Sequence, residues 1–403
     1  MLGVPRMKRR VWVSRRRFSA ALAVAAAAAL AGCTSDFDRL SSNGATAPQG
    51  TAQPPPTVTG EGAIRVGLIL PLSAGGNAGV AALAMKNAAD MALAEFKNPN
   101  IQLLVKDDAG TPQAAQLAAQ QAVAEGAEII VGPLFAQSVS AAAQVARGRN
   151  IPVIAFSTDA TVASRGVYLL SFLPEADVKR VVDYAVSRGK RSFAALLPDN
   201  AYGGVVEAAF QQEVAKHGAR VVALERYPLD PSKMADPVRR VAQAATHADV
   251  IFIPDNADAA QIVQTLGASG VNLKRVQLLG TGLWEDPRIF ASQQLDNAWY
   301  AAPDPAGFRS FAQRYRARYG QEPVRTAALA YDAVALVAAL VKTQGPQRFS
   351  EQVLTNSSGF SGIDGIFRFR ADGTNERGLA VLRVTPNGGQ VISPAPRAFA
   401  PGT

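Results

Sequence analysis

Few side chains in this 403-residue sequence are suited to making or breaking bonds. There is one cysteine, Cys33, and there are two histidines, His217 and His247. No G-x-S-x-G elbow, P-loop or H-E-x-x-H pair occurs, and the glycine-containing stretch Ser73–Gly79 does not have G-x-G-x-x-G spacing. With a single thiol there is no disulfide framework or thiolate metal site, and two histidines make a His-rich metal site a poor expectation. The reading is therefore of a non-enzyme without metal or cofactor. What the sequence does offer is hydrogen-bonding chemistry at the ends of apolar runs: Ser73, Ala136-Gln137, Ser157-Thr158-Asp159, Asn256 and Thr281. Such hydroxyls and amides suit a carboxylate or another polar group, while Tyr202 and Trp284 suit its apolar part, the usual mixture in small-molecule pockets.

The elements that would position these groups alternate in type. Strand-length apolar runs lie at Ile64–Leu72, Ile101–Asp107, Glu128–Pro133, Pro152–Ser157, Ser192–Pro198, Arg220–Tyr227, Asp249–Pro254 and Gln277–Gly282. Most are continuously apolar, as parallel strands covered on both faces are. Between them are amphipathic helices. One is read from Val80, Leu83, Ala84, Ala88 and Met91; one starts on Thr111-Pro112 and stops at Gly126; others end at Gly189 and Gly218. Repeated strand–helix alternation predicts an α/β fold with doubly wound parallel sheets, and so many strands predict two Rossmann-like lobes. In open sheets of this kind ligands collect beyond the carboxyl ends of the strands, where the polar residues above fall. Gly166–Pro174 and Trp299–Pro305 read as crossings between lobes.

Net charge separates the first 33 residues from the rest. The whole chain carries 41 Lys+Arg against 32 Asp+Glu, but seven of the basic groups and none of the acids lie in residues 1–33. Beyond Cys33 the excess is only +2, so a basic surface for nucleic acid has little support. Residues 1–33 have the parts of a secretion signal: a basic stretch, then an apolar run from Phe18 to Leu30, shorter than the roughly 20 residues a spanning helix needs. Leu30-Ala31-Gly32-Cys33 resembles a bacterial lipobox, which makes Cys33 the expected lipidation site and the protein an anchored lipoprotein of the inner or outer membrane. Ser14-Arg15-Arg16-Arg17-Phe18 also resembles a twin-arginine export signal. Residues 34–61, with Pro54-Pro55-Pro56 and no hydrophobic periodicity, read as a disordered tether.

Several segments together resemble one family. Ile64-Arg65-Val66-Gly67-Leu68-Ile69-Leu70-Pro71-Leu72-Ser73, Lys106-Asp107-Asp108, Ile129-Ile130-Val131-Gly132-Pro133-Leu134, Ile151–Thr158, Asp199-Asn200-Ala201-Tyr202-Gly203, Ala330–Ala333 and Gly362–Phe369 follow the order of the leucine and branched-chain amino-acid binding proteins, of the type I periplasmic-binding-protein superfamily. The resemblance spans about 62–395. It implies a clamshell joined by three crossings, with one lobe at 62–172 plus 302–378 and the other at 173–301 plus 379–397. It also implies a periplasmic protein delivering a small, amino-acid-like solute to an ABC permease, by hinge closure over a cleft. Two positions depart from that pattern. Ala136-Gln137 stands where such binders place a Ser or Thr for the ligand carboxylate, and Gly280-Thr281-Gly282-Leu283 supplies no acid for an ammonium group before Glu285; Asp159 and Asp255 are the other acids near enough to be considered. The chain also resembles the lipoprotein activators of penicillin-binding proteins, which implies the alternative of a cleft without a solute and a peptidoglycan synthase as partner.

Overall fold

The structure, a computed structural model, describes residues 58–399. The leader, Cys33 and most of the stretch read as a tether lie outside the described residues. The end of that stretch does not behave as a tether: Val58 and Thr59 pair antiparallel with Leu104 and Leu103.

Two sheets organise the fold. In the first, the strand order is Val58–Thr59, Ile101–Asp107, Ile64–Leu70, Ile129–Val131, Val153–Ala155, Val167–Leu169, parallel throughout except for the first. In the second, Arg220–Tyr227, Ser192–Pro198, Val250–Phe252, Gln277–Gly280 and Trp299–Ala302 run parallel, and Ala380–Thr385 and Gly388–Ser393 close the edge antiparallel. The inner strands are apolar throughout because both faces are covered; all seven residues of Ser192–Pro198 are buried. Several strands stop short of the apolar runs that announced them. Ile64–Leu70 ends before Pro71 and Ile129–Val131 before Gly132-Pro133, since proline cannot donate to the ladder. At Gly132 a side chain is excluded outright: φ is 94° and a Cβ would lie 2.0 Å from Ile69 O.

Each sheet has its own core. Val66, Leu68, Met85, Leu329, Val334 and Phe367 pack on the first, and Leu196, Val238, Ile251, Ile262, Tyr300 and Leu382 on the second. The chain passes between the cores three times: from Leu173 to Val178, from Ala302 to Phe311 and from Phe369 to Ala380. The passages are tied together. Ser171 O accepts from Asn375 Nδ2 and Arg377 Nε, both at 2.8 Å, and Arg180 Nε donates to Leu379 O at 2.8 Å.

Three features depart from the sequence reading. Val80 and Leu83, read as core, are 60% and 50% exposed. The helix Gly76–Glu95 buries Ala84, Met85, Ala88, Met91 and Ala92, so the expected face is covered from Ala84 onward and left exposed in the first turns, where Val80 and Leu83 fall. The segment 379–397, absent from the strand-length runs read above, forms two strands, Ala380–Thr385 and Gly388–Ser393, because Pro386-Asn387 turns the chain back. A third, antiparallel sheet of Phe360–Gly362, Gly365–Phe369 and Asn375–Arg377 was not anticipated; its Phe367 and Phe369 complete the first core. No helix among the described residues is long and apolar enough to cross a membrane.

Candidate functional site

All the polar residues singled out by sequence follow the carboxyl ends of parallel strands, so each sheet presents them along one edge. The two edges are built differently.

On the first sheet the groups are open. Ser73, Gln137, Thr158 and Asp159 are exposed, and Ala136 is half-buried. Ser73 N–H donates to Asp107 Oδ1 at 3.2 Å. Ser157 is buried and its hydroxyl accepts from Asp159 N–H at 3.1 Å; Asp159 in turn accepts from Thr161 N–H at 2.9 Å. Two helices begin at this edge without a side-chain cap: Gly76–Glu95 follows Gly75, and Ala136–Arg147 follows Phe135. Their first-turn N–H groups have no internal partner and carry the positive end of the helix dipole. Just beneath, Asp108 and Ser138 are fully buried, and neither Asp108 Oδ2 nor Ser138 Oγ has a partner of hydrogen-bonding geometry. Burial raises the Asp108 pKa, while the Gly110 N–H and the nearby Ser138 hydroxyl oppose that rise.

On the second sheet the groups hold one another. Thr281 is fully buried; its hydroxyl donates to Pro254 O at 2.8 Å and receives the Tyr202 hydroxyl at 2.9 Å. Burial keeps that phenol neutral by pushing its pKa well up. Asn256 Nδ2 donates to Asp286 Oδ2 at 2.6 Å, and Arg288 holds the Asp286 carboxyl down to about 2. Trp284, expected to cover a ligand, has no exposed surface: its ring lies against Gly280, where a Cβ would meet it at 2.1 Å, and its N–H donates to Asp255 O at 3.1 Å. The acids considered for an ammonium group are similarly engaged. Glu285 Oε2 accepts from the Tyr300 hydroxyl at 2.5 Å and Asp255 Oδ2 from the Tyr227 hydroxyl at 3.3 Å.

Sequence reasoning missed the carboxylate that does adjoin this edge. Asp177 lies in the first turn of the helix Pro174–Ser187, and its Oδ2 accepts from Gly282 N–H at 2.9 Å. Burial pushes its pKa up to about 7 against the pull of that N–H and of Arg377 and Arg325. An acid just after a helix-starting proline is ordinarily explained by the helix dipole, so nothing local marks it. The arginines belong to a charged group where the chain crosses between cores. Arg325 donates to Asp364 at 2.6 Å, and Arg377, 6% exposed, stacks on Phe172 with both terminal nitrogens unpaired. Burial also raises Asp332, 4% exposed, to about 7, despite the Ile363 N–H donated to it at 2.8 Å. Across the first crossing, burial raises Glu175, and the charge of Asp159 adds to that rise.

Residues 63–390 match the family model described as periplasmic binding protein. A protein from Rhodospirillum rubrum provisionally assigned to a branched-chain amino acid ABC transporter has a similar structure: TM-score 0.73, 21% identity, 82% of this chain and 99% of that one covered. A solute binding protein of an ABC transporter from Rhodopseudomonas palustris, solved with 3,4-dihydroxybenzoic acid, gives a TM-score of 0.59 at 20% identity over 84% of this chain and 99% of its own. A leucine binding protein from Thermotoga maritima gives 0.57 at 17% identity over 84% and 99%. Identities this low show the shared fold. An uncharacterized protein of Rickettsia prowazekii is 24% identical over 144 residues, 36% of this chain and 38% of that protein's length.

Proposed function

The chain belongs to the periplasmic binding protein family, and from that premise we propose that it is the solute-binding component of an ABC-type importer. In this reading lipidated Cys33 anchors it at the membrane surface, and a small carboxylate-bearing solute, amino-acid-like or aromatic, is held between the lobes. The observation that carries the carboxylate is the pair of uncapped helix starts at Gly76 and Ala136, flanked by the exposed Ser73, Gln137 and Thr158. Backbone N–H groups at a helix start bind anions without further help. An ammonium group is served less well, because Glu285, Asp255 and Asp159 already accept hydrogen bonds within the protein. Recognition by the carboxylate is common to amino acids and aromatic acids, the ligand classes named for the structural relatives.

One observation favours a second reading. The second edge is saturated by its own contacts, from Tyr202–Thr281 to Asn256–Asp286, as a disused cleft would be. The protein would then be an activator of a penicillin-binding protein, acting through its outer surface.

A thermal-unfolding screen with amino acids, short peptides and benzoate-type acids separates the two. A true ligand at 100 times its dissociation constant stabilises by about 2.7 kcal/mol. Stabilisation by at least one carboxylate compound, lost in its amide or ester, is expected. Silence across the screen together with capture of a peptidoglycan synthase would transfer the role to the second reading.

A further inference from the structure

We propose that Asp183, Glu213 and His217 form a binding site for a first-row divalent transition metal, Zn²⁺ by its ligand chemistry, on the outer helices of the second lobe. Glu213 and His217 stand four residues apart at the end of the helix Ala201–Lys216, the spacing that puts two ligands on one helical face. Asp183 reaches them from the neighbouring helix Pro174–Ser187. The three ligand atoms lie within 4.8 Å of one another, and His217 Nε2 is 2.5 Å from Asp183 Oδ1. Bonds of about 2.0–2.2 Å to nitrogen and oxygen put tetrahedral ligands about 3.4 Å apart. Small side-chain rotations bring this triangle to that size.

The second carboxylate oxygens are occupied in a way that suits a metal site. Lys179 Nζ holds Asp183 Oδ2 at 2.5 Å, and Lys216 Nζ holds Glu213 Oε2 at 3.3 Å. Each acid thus has one oxygen fixed by a donor, as ligating carboxylates usually are, and the other Asp183 oxygen meets His217 Nε2 in the contact that a metal between them would replace. Asp183 and Glu213 also line a cavity of about 900 Å³, which gives a fourth, water-held position access to solvent. One imidazole and two monodentate carboxylates match Zn²⁺; Ca²⁺ needs six to eight oxygens and Mg²⁺ prefers an all-oxygen octahedron. The two lysine charges oppose a cation and make this an exchangeable site. A bound metal clips two helices of one lobe together and leaves the strand-end residues untouched, so the inference stands apart from the solute reading.

The test uses the full chain in detergent, stripped with a chelator, titrated with Zn²⁺ by calorimetry and melted with and without the metal. Uptake of one equivalent and a raised melting temperature are expected, with Mg²⁺ in excess producing neither. His217→Ala, Glu213→Gln and Asp183→Asn should each weaken uptake by at least about tenfold, and His247→Ala should leave it intact. His217 is partly exposed, so its variant should melt like the metal-free parent. Equal uptake in the three ligand variants would assign the metal to another residue, and no uptake by the folded parent would remove the site; either overturns the proposal.

Discussion

The two strand-end edges use similar residues to opposite ends. On the first sheet, Thr158, Gln137 and two helix starts are exposed without internal side-chain partners among the described residues, while Ser73 and Ser157 are tied back, to Asp107 and Asp159. On the second, Tyr202, Thr281, Asn256, Trp284 and Glu285 are consumed in contacts with one another and with neighbouring backbone. A clamshell built this way would hold a solute by one lobe and cover it with a rigid second lobe. The contrast can be broken from either side. The largest effect is expected at Trp284→Ala, which empties a fully buried ring site against Gly280. Removing a buried tryptophan costs about 3–5 kcal/mol, read as a fall in the denaturation midpoint. If Trp284→Ala is stable and only solute binding fails, the indole is a ligand contact and the second edge is not the closed structure described.

The closure of the second lobe onto the crossings has a pH signature. Asp177 and Asp332 are raised to about 7, and Asp108, Asp364 and Glu175 are raised as well. A raised carboxyl binds its proton more tightly in the folded than in the unfolded chain. Between its ordinary value of 3.8 and about 7, stability therefore falls as pH rises. The depressed Asp286 works in the other direction only below 3.8, where its contribution is lost toward about 2. The urea midpoint should accordingly be higher at pH 5 than at pH 8. Asp177→Asn keeps an acceptor for Gly282 N–H and should flatten that slope, with its gain appearing at pH 8. A midpoint that rises from pH 5 to pH 8 would mean these carboxyls ionise freely and the crossings are wetter than their burial implies.

The parallel sheets were legible because burial on both faces writes itself into the sequence as unbroken apolar runs, as at Ser192–Pro198. The small antiparallel sheet was not, because Phe360–Gly362 and Asn375–Arg377 are three residues each and carry no period. Positions at strand ends were equally legible, but partners were not. Nothing in Thr281 or Asn256 says that Pro254 O and Asp286 will occupy them, since those bonds link residues 27 and 30 positions away. Trp284 shows the same limit: the residue type says aromatic, and only the packing says core. The Glu213–His217 spacing was visible in sequence, yet its third member is 30 residues away from Glu213 on another helix.

The finest test sets one polar deletion on each edge against the other. Tyr202→Phe removes the hydroxyl that reaches Thr281 and leaves the ring in place. Because Thr281 Oγ1 still donates to Pro254 O, the loss should stay near 1 kcal/mol of stability, the usual worth of a single internal hydrogen bond. Solute affinity should hardly change. Thr158→Ala and Gln137→Ala act on exposed residues and should shift stability by no more than about 0.5 kcal/mol. Their effect should appear as weaker binding of whichever carboxylate stabilises the parent, read by calorimetry. The pairing of the two outcomes is what matters. Should Tyr202→Phe lose affinity while Thr158→Ala and Gln137→Ala keep it, the second edge would be the recognising surface. The bonds that now satisfy it would then have to open for the solute.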